Sequence, residues 1–143
     1  MSRIKLTMPD DYLFSTQIPV RITDLNYGKH LGNDALLSVL HEARVRFLAR
    51  YDYTESDIEG VGIIMADAVI IYKCQSYYGD QLTIQIAVED ISKKSCDLYY
   101  HVANQSGNVV ALCKTAIVFY GYQSQKPVNI PAGFLAKIQT SNA

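Results

Sequence analysis

The sequence predicts an α+β domain in which one long helix lies against an antiparallel sheet. Three observations support this fold class. The chain has 143 residues, and its 49% hydrophobic and 19% charged residues are typical of a single folded domain. Only residues 34–50 have the spacing of a long amphipathic helix. Four later segments change to a period of two residues and are joined largely by short turns, which favours antiparallel pairing.

The first structured segment is a predicted strand at residues 14–22. Pro19 lies inside it, and because proline has no N–H to donate, this strand belongs at an edge of the sheet or must turn that position away from a neighbour. The polar segment 24–33 that follows contains Gly28 and Gly32 and is predicted to be a loop. Asn33 is well suited to cap the helix after it, and Asp34 favours the positive end of the helix dipole.

The long helix is predicted over residues 34–50. Its apolar stripe recurs at helical spacing through Leu36, Leu40, Ala43 and Phe47. Leu37, Val39 and Leu48 widen this stripe. After it, Thr54 and Asp57 suggest a short capped turn of helix that ends at Gly60.

The second half of the chain reads as a sheet. Strands are predicted at residues 63–72, 81–91, 95–104 and 109–122, with a hairpin turn at 105–108 and a short helix at 132–138. The strand at 109–122 is apolar almost throughout, so it should be central. Since one helix cannot cover both faces of five strands, packing alone predicts a domain that oligomerises. No repeat or linker divides the chain, and residues 1–143 are predicted to form one domain.

Charge and composition exclude several classes of function. The net charge is −1, and no basic run is longer than Lys93-Lys94, so a nucleic-acid footprint is not expected. No apolar stretch approaches the roughly 20 residues that span a membrane, and the N-terminus lacks the apolar core of a signal peptide. Cys74, Cys96 and Cys113 lack metal or disulfide spacing and are expected to be reduced core thiols, which indicates a cytoplasmic protein.

The chemistry-bearing residues concentrate in the loop before the long helix. Asp24, Asn26, His30 and Asn33 lie there, next to a helix end that offers free N–H groups and partial positive charge. Such an end can stabilise the oxygen of a carbonyl during acyl transfer, and a nearby carboxylate can act as base or nucleophile. The alternative is that Asp24 and Asn26 only form Asx turns and Asn33 only caps the helix. No metal-ligand spacing, dinucleotide-binding glycine motif or Gly-x-Ser-x-Gly nucleophile motif is present, so neither a metal nor a cofactor is expected.

These residues carry a resemblance to a known family. The stretch VRITDLNYGKHLGNDALLSVLHEARVRFL, residues 20–48, resembles the N-terminal signature of hot-dog-fold acyl-CoA thioesterases of the 4-hydroxybenzoyl-CoA thioesterase-like superfamily. Their pattern is roughly Asp-x-(Asp/Asn)-x-x-Gly-His-(Val/Leu)-x-Asn, followed by a helix ending in Glu-Ala-Arg. The matching positions here are Asp24, Asn26, His30, Leu31, Asn33, Glu42, Ala43 and Arg44, with Gly28 one place early. A second match is Tyr72 followed by Tyr78-Gly79-Asp80.

The resemblance implies the hot-dog fold, in which a five-stranded antiparallel sheet wraps around one long central helix. It also implies hydrolysis of an acyl-CoA or acyl-carrier-protein thioester, in a homodimer or homotetramer with active sites at the subunit interface. Asp24 would be the general base or nucleophile, Asn26 would position the water or thioester, and His30 would orient Asp24 or assist proton transfer. The substrate-contacting positions would be Gly28, Asn33, Asp34 and Asp67. The backbone N–H groups near Asn33 and Asp34 would polarise the carbonyl.

Three alternatives stay open at this point. DLNYGKHLGND is an imperfect relative of the loop of hot-dog enoyl-thioester hydratases, with an extra residue and no proline. A non-catalytic acyl-thioester-binding module would share the fold and the pocket. Asp67 interrupts an apolar strand, and instead of contacting substrate it could bind a tyrosine hydroxyl, since a carboxylate in apolar surroundings needs a partner.

Overall fold

The computed structural model describes residues 3–141, which form one sheet and two α-helices. The elements in chain order are β1 (Phe14–Pro19), α1 (Asn33–Ala49), β2 (Gly62–Tyr72), β3 (Gln81–Glu89), β4 (Ser95–Ala103), β5 (Val109–Gly121), β6 (Lys126–Pro127) and α2 (Ala132–Ser141). A single turn of 3₁₀ helix, Ile22–Asp24, leads into the loop before α1. This is the predicted α+β architecture, and the predicted terminal helix is present as α2.

The sheet is antiparallel, with its five main strands in the order β1-β3-β4-β5-β2. β1 is an edge strand, as Pro19 predicts, and β5 lies between β4 and β2, as its apolar sequence predicts. The two-residue strand β6 pairs with β5 and makes a sixth strand that the sequence pattern did not indicate. β2 is the opposite edge, and a bulge between Met65 and Asp67 shifts its register against β5.

The core lies between α1 and one face of the sheet. The buried face of α1 carries the predicted stripe of Leu36, Leu40, Ala43 and Phe47, together with Val39 and Leu48. These side chains meet the alternate, inward-facing residues of β3, β4 and β5. Leu37, which was expected to widen the stripe, is 40% exposed instead. The side chain of Leu37 is therefore available at the flank of the helix.

The predictions for residues 54–60 and for Cys74 were wrong. Residues 54–60 do not form a turn of helix: Thr54 pairs with Asp57, and Ile58 pairs with Val61, in isolated antiparallel bridges. Cys96 and Cys113 are buried free thiols, but Cys74 is exposed. It follows β2 directly, where the chain leaves the sheet and the two-residue alternation no longer decides burial.

Neither α-helix within residues 3–141 combines the length and the apolarity that crossing a membrane requires.

Candidate active site

The loop between the 3₁₀ turn and α1 is held closed by its own hydrogen bonds. The N–H of Asn26 donates to the carbonyl of His30 at 2.8 Å, and Leu25 and Leu31 form an isolated bridge. The side-chain oxygen of Asn26 accepts the N–H groups of Gly28, at 2.9 Å, and of His30, at 3.2 Å. Asn26 thus forms an Asx-type turn, which is the structural role that the sequence offered as the alternative to a chemical one.

Gly28 leaves room for this closure. A Cβ atom at Gly28 would lie 3.3 Å from both Oδ1 of Asn26 and Nδ1 of His30, which is tighter than ordinary contact. The ring of His30 packs edge-on against Tyr77, with ring centroids 5.3 Å apart. The structure therefore brings Asn26, Gly28 and His30 together, and it directs the His30 ring towards Tyr77.

The N-terminus of α1 is open. Its N-cap is Gly32, not Asn33 as predicted, and no side chain caps it. Gly32 donates its N–H to the carbonyl of Asp24 at 2.9 Å, which ties the loop to the start of the helix. The first N–H groups of a helix have no carbonyl within the helix to bind, so those of Asn33 and Asp34 remain free to act as donors. Together with the helix dipole, they form a site for a negative or polarised oxygen.

A cavity of about 240 Å³ adjoins this helix end. Leu31, Gly32, Asn33 and Leu36 line one side, and the segment 72–76 with Val110 lines the other. The hydroxyl of Tyr72 donates to the carbonyl of Asn33 at 3.0 Å and so closes the cavity over the helix start. Burial is the main cause that raises the pKa of Tyr72, and the nearby Cys113 and Asp34 raise it further. The hydroxyl of Tyr72 therefore stays protonated at neutral pH.

Asp80, from the Tyr78-Gly79-Asp80 match of the sequence, supports the segment 72–76 that lines the far side of this cavity. The Asp80 carboxylate accepts hydrogen bonds from the hydroxyl of Ser76 and the N–H of Tyr77, both at 2.9 Å, and from the amide of Gln105 at 3.0 Å. Burial alone would raise the pKa of Asp80, but these donors hold it below its usual value. The carbonyl of Ser76 in turn accepts the N–H of Leu31 at 2.8 Å. Asp80 therefore fixes the segment 72–76 against the loop.

The carboxylate of Asp24 is buried but lies outside this cavity. One oxygen accepts the N–H of Arg21 at 2.8 Å and its Nε at 3.3 Å, and the other accepts its Nη2 at 3.1 Å. Burial by itself raises the pKa of Asp24, but the hydrogen bonds and charge of Arg21 outweigh it and hold the pKa below its usual value. Asp24 faces a groove of about 250 Å³ along α1, whose other polar lining residues are Arg21, Ser38, Glu42 and Arg46.

Asp67 lies apart from the loop. Its carboxylate binds Nζ of Lys114, at 3.0 and 3.2 Å, and the N–H of Ala116 at 3.0 Å, on the face of the sheet that is turned away from α1. The partner of Asp67 is therefore Lys114. It is not the tyrosine hydroxyl that the sequence suggested as the alternative to a contact with substrate. The Asp67 side chain is 51% exposed, whereas that of Lys114 is 17% exposed.

A buried polar network on α1 was not identified from the sequence. Arg44 donates from Nε to Glu55 at 2.6 Å and from Nη1 to the hydroxyl of Tyr100 at 3.3 Å, and Tyr100 is 2.8 Å from the hydroxyl of Thr115. His41 holds the second oxygen of Glu55 at 2.6 Å. In the sequence, Arg44 stands between two apolar residues of the helix. This is the one sequence feature that could have indicated that Arg44 is buried.

The described residues contain no group of three or more His, Cys, Asp or Glu side chains placed to hold a metal ion.

Comparison with known proteins agrees with this architecture. Residues 20–138 match the family model of the thioesterase-like superfamily. Among solved structures, a 1,4-dihydroxy-2-naphthoyl-CoA thioesterase from Synechocystis is 17% identical, with a TM-score of 0.82 over 91% of this chain and 98% of that one. A DHNA-CoA thioesterase from Staphylococcus aureus is 18% identical, with a TM-score of 0.78 over 90% and 91%. A further Staphylococcus aureus protein, solved in complex with CoA, is 12% identical, with a TM-score of 0.82 over 96% and 87%. No curated protein sequence matches the chain.

Proposed function

The chain belongs to the thioesterase-like superfamily, and we propose that it hydrolyses an acyl-CoA or acyl-carrier-protein thioester to a free acid and a thiol. The observation that carries this proposal is the open N-terminus of α1 beside a cavity of about 240 Å³. A helix end without a side-chain cap leaves N–H donors for a ligand oxygen, and the hot-dog fold of the chain presents this end at the cavity.

The proposed reaction is attack of water on the acyl carbon. The thioester oxygen accepts the N–H groups of Asn33 and Asp34, and the negative charge that develops on this oxygen is stabilised by them and by the helix dipole. The carbon–sulfur bond then breaks, the acid leaves with the hydroxyl of the water, and the thiolate takes up the proton. Lys73, which lines the cavity, is placed to meet a phosphate of CoA at its mouth.

We propose Asp24 as the base that takes the proton of the water. Its carboxylate is ionised at neutral pH, is 5% exposed, and belongs to the residue whose carbonyl holds the helix start through Gly32. Arg21, its partner, is 68% exposed. Because the Asp24 carboxylate faces a groove separate from the cavity, this role requires its contact with Arg21 to open and the carboxylate to turn towards the helix end. In this scheme Asn26 holds the loop in shape, and His30 acts as the second loop residue that assists proton transfer.

A second function is favoured by one observation. Both oxygens of Asp24 are bound by Arg21, and its groove is separate from the cavity at the helix end. A site of this kind would bind an acyl thioester without hydrolysing it, so a non-catalytic binding module is the second candidate.

We also propose that the active unit is at least a homodimer, with a homotetramer as the larger form. β2 pairs with β5 on one side only, and its central residues, including Ile64 and Met65, are 42% and 50% exposed. Apart from Asp67 and the bulge beside it, β2 is a long, apolar, unpaired edge, the kind of strand on which a second chain pairs. Pairing of two β2 edges would join two sheets and place the two helix ends near the interface.

The test is an assay of purified protein on a panel of acyl-CoAs with a thiol-reactive dye. Release of free CoA supports the hydrolase. Binding by calorimetry without release supports the binding module, and formation of 3-hydroxyacyl-CoA from enoyl-CoA would replace both with a hydratase. Absence of both turnover and binding across the panel would refute the proposal.

A further inference from the structure

A second cavity, of about 210 Å³, lies between α1, β2 and β5, one helical turn beyond the open helix end. It is lined by Leu37, Ser38, Leu40, His41, Arg44, Met65 and Thr115. An engineered apolar cavity of about 150 Å³ holds a benzene molecule, so this space has room for the end of an acyl chain or a ring. Leu37, Leu40 and Met65 are its apolar lining residues, and Ser38, His41, Arg44 and Thr115 are its polar ones.

Arg44 has hydrogen-bond donors to spare at this cavity. Its side chain is 9% exposed, and its guanidinium has five N–H groups that never lose their charge. Within residues 3–141, its hydrogen bonds go to Glu55 through Nε and to Tyr100 through Nη1, which uses two of these five groups. Among the described residues, no fully buried side-chain nitrogen or oxygen lacks a hydrogen-bond partner, so the Arg44 nitrogen without one is within reach of solvent. An oxygen atom of a ligand in the cavity would replace water at this donor.

Thr115 is a second polar group on the wall of this cavity. Because Arg44 can only donate, the oxygen of Tyr100 is the acceptor of that bond. The hydroxyl oxygens of Tyr100 and Thr115 are 2.8 Å apart, and either hydroxyl can be the donor. When Tyr100 donates, the hydroxyl proton of Thr115 is available to a ligand oxygen in the cavity.

The charge of the network decides which oxygen fits. Glu55 already neutralises Arg44, so a ligand carboxylate would add an unbalanced charge to a mostly buried place, which is costly. We propose that this cavity binds the far end of the acyl group and selects acyl groups that carry an uncharged oxygen there, such as a hydroxyl or a ketone. This specificity rests on the proposed thioesterase function.

The reach along the helix is compatible with a medium-length acyl group. Asn33, Leu37 and His41 follow one another at intervals of four residues, so they share one face of α1 that leads from the open end to Arg44. The ten residues from Asp34 to Arg44 span roughly 15 Å. The Arg44 side chain leans back towards the helix start, which shortens this distance. An extended chain advances about 1.2 Å per bond, so the seven atoms beyond the carbonyl of an octanoyl group cover about 8 Å.

The experiment compares three CoA thioesters of similar length: octanoyl-CoA, 7-hydroxyheptanoyl-CoA and heptanedioyl-CoA. The first two have the same number of chain atoms and differ only in a terminal methyl or hydroxyl group. We expect kcat/KM, and the affinity measured by calorimetry, to favour the hydroxy thioester over octanoyl-CoA by roughly tenfold or more, the effect of a hydrogen bond to a charged donor. We expect heptanedioyl-CoA to be the poorest of the three.

Matched variants separate this binding role from a structural one. Thr115→Val removes the hydroxyl at constant shape, and we expect it to lower the preference for the hydroxy thioester about fivefold while the value for octanoyl-CoA changes little. Thr115→Ser keeps the hydroxyl and should retain the preference. Arg44→Lys keeps the charge beside Glu55, lacks the planar fork, and should abolish most of the preference. Thr83→Val, on β3 at the outer face, is the control and should behave like the wild type.

Binding and turnover are both recorded so that the two proposals can fail separately. If no thioester is hydrolysed but the hydroxy thioester binds best, the thioesterase proposal fails and the specificity proposal stands. Equal kcat/KM and affinity for the hydroxy and methyl thioesters, a preference for heptanedioyl-CoA, a preference that Thr115→Val and Arg44→Lys leave intact, or absence of binding of all three would overturn the specificity proposal.

Discussion

Asp24 is held by contacts that keep its carboxylate ionised and at the same time weaken it as a base. Both oxygens accept hydrogen bonds from Arg21, and a carboxylate bound in this way gives up part of its affinity for a proton. A catalytic role for Asp24 therefore requires the bond to Arg21 to loosen when substrate binds, whereas a structural role requires it to stay. Two substitutions at this pair distinguish these possibilities.

Replacement of Asp24 by asparagine keeps the shape of the side chain and removes the base. We expect Asp24→Asn to lower kcat roughly 10²–10⁴-fold, the usual contribution of a positioned general base, with little change in substrate affinity. His30→Ala should cost less, because a water molecule can replace an assisting imidazole. Asp67→Asn is the control carboxylate on the outer face and should stay within a few-fold of the wild type. Steady-state kinetics on the best acyl-CoA, with circular dichroism of each variant, checks this, and near-normal turnover by folded Asp24→Asn would show that the base is another group.

Arg21→Gln tests the same assignment through pH. Removing the guanidinium leaves burial as the main influence on Asp24, so the pKa of this carboxyl rises. Because the base must be ionised to act, the acidic limb of the kcat/KM profile should move to higher pH than in the wild type. A profile whose acidic limb is unchanged, in a variant that is folded and active, contradicts a base role for Asp24.

Among the helices and strands, the features that could be predicted are those that depend on the pattern of residues within one segment. The apolar stripe of α1, the edge position of β1 and the central position of β5 follow from helical spacing, from Pro19 and from a continuous apolar run. The pairing of β2 with β5 joins strands that are distant in sequence, and periodicity carries no information on which strands become neighbours.

The candidate site shows the same division. The loop and the open helix end could be located from residue types and spacing. The Lys114 partner of Asp67, the enclosure of Asp24 by Arg21 and the link from Arg44 to Tyr100 could not be, because each depends on side-chain directions. The shift of the N-cap from Asn33 to Gly32 has a physical reason as well. A Cβ at Gly32 would lie 2.7 Å from Oδ1 of Asp34, so the position immediately before the helix favours a residue without a side chain.

The open end of α1 gives a prediction in which activity and stability separate. Serine at an N-cap accepts the N–H of the second or third helical residue, here Asp34 or Ala35, and stabilises the helix by a few tenths of a kcal/mol relative to glycine. We expect Gly32→Ser to leave the free energy of unfolding within about 1 kcal/mol of the wild type. Its kcat should fall roughly 10²-fold, since one oxyanion donor is occupied.

Gly32→Ala is the matched control for this substitution. It adds the same Cβ atom next to Asp34 without a hydroxyl, so any steric effect is common to both variants. Denaturant unfolding and steady-state kinetics measure the two quantities. If Gly32→Ser and Gly32→Ala lose the same activity, the loss is steric and the helix N–H groups do not act on the carbonyl.

Glu55 connects α1 to the segment before β2, and this link depends on pH. Burial alone would raise the pKa of Glu55, but the hydrogen bonds and charges of Arg44 and His41 hold it below its usual value. A lowered pKa means that the carboxylate stabilises the fold fully above its unfolded pKa of about 4.3, and that this contribution is lost as pH falls through the lower folded value. We expect Glu55→Gln to lower the free energy of unfolding by about 1–3 kcal/mol at pH 7, with the difference shrinking below about pH 4. Urea unfolding at both pH values is the measurement, and a difference that is equal at pH 7 and pH 3 contradicts the role of the ionised carboxylate.

At the scale of the whole molecule, the sheet has one edge that the described chain leaves apolar and open. β1 at the opposite edge is six residues long and contains Pro19, which discourages pairing. β2 is eleven residues long, contains no proline, and exposes Ile64 and Met65 at its centre. Edge strands of soluble proteins are usually short, charged or covered, so β2 is the edge on which a second copy of the chain would pair.

Pairing at the β2 edge predicts a particle of about 32 kDa at micromolar concentration, twice the 16.0 kDa of one chain, or a larger even multiple. Ile64→Lys places a charge on the β2 edge and should shift the particle towards the monomer. Because the proposed active sites lie near this interface, turnover should fall with the dimer fraction, and it should recover as the concentration of the variant is raised. Light scattering and kinetics over a dilution series measure both quantities.

Ser15→Lys on β1 is the matched control, since β1 is not expected to pair, and it should leave mass and turnover unchanged. A wild-type particle of 16 kDa with full turnover would remove the interface, and with it the need for a partner chain at the site.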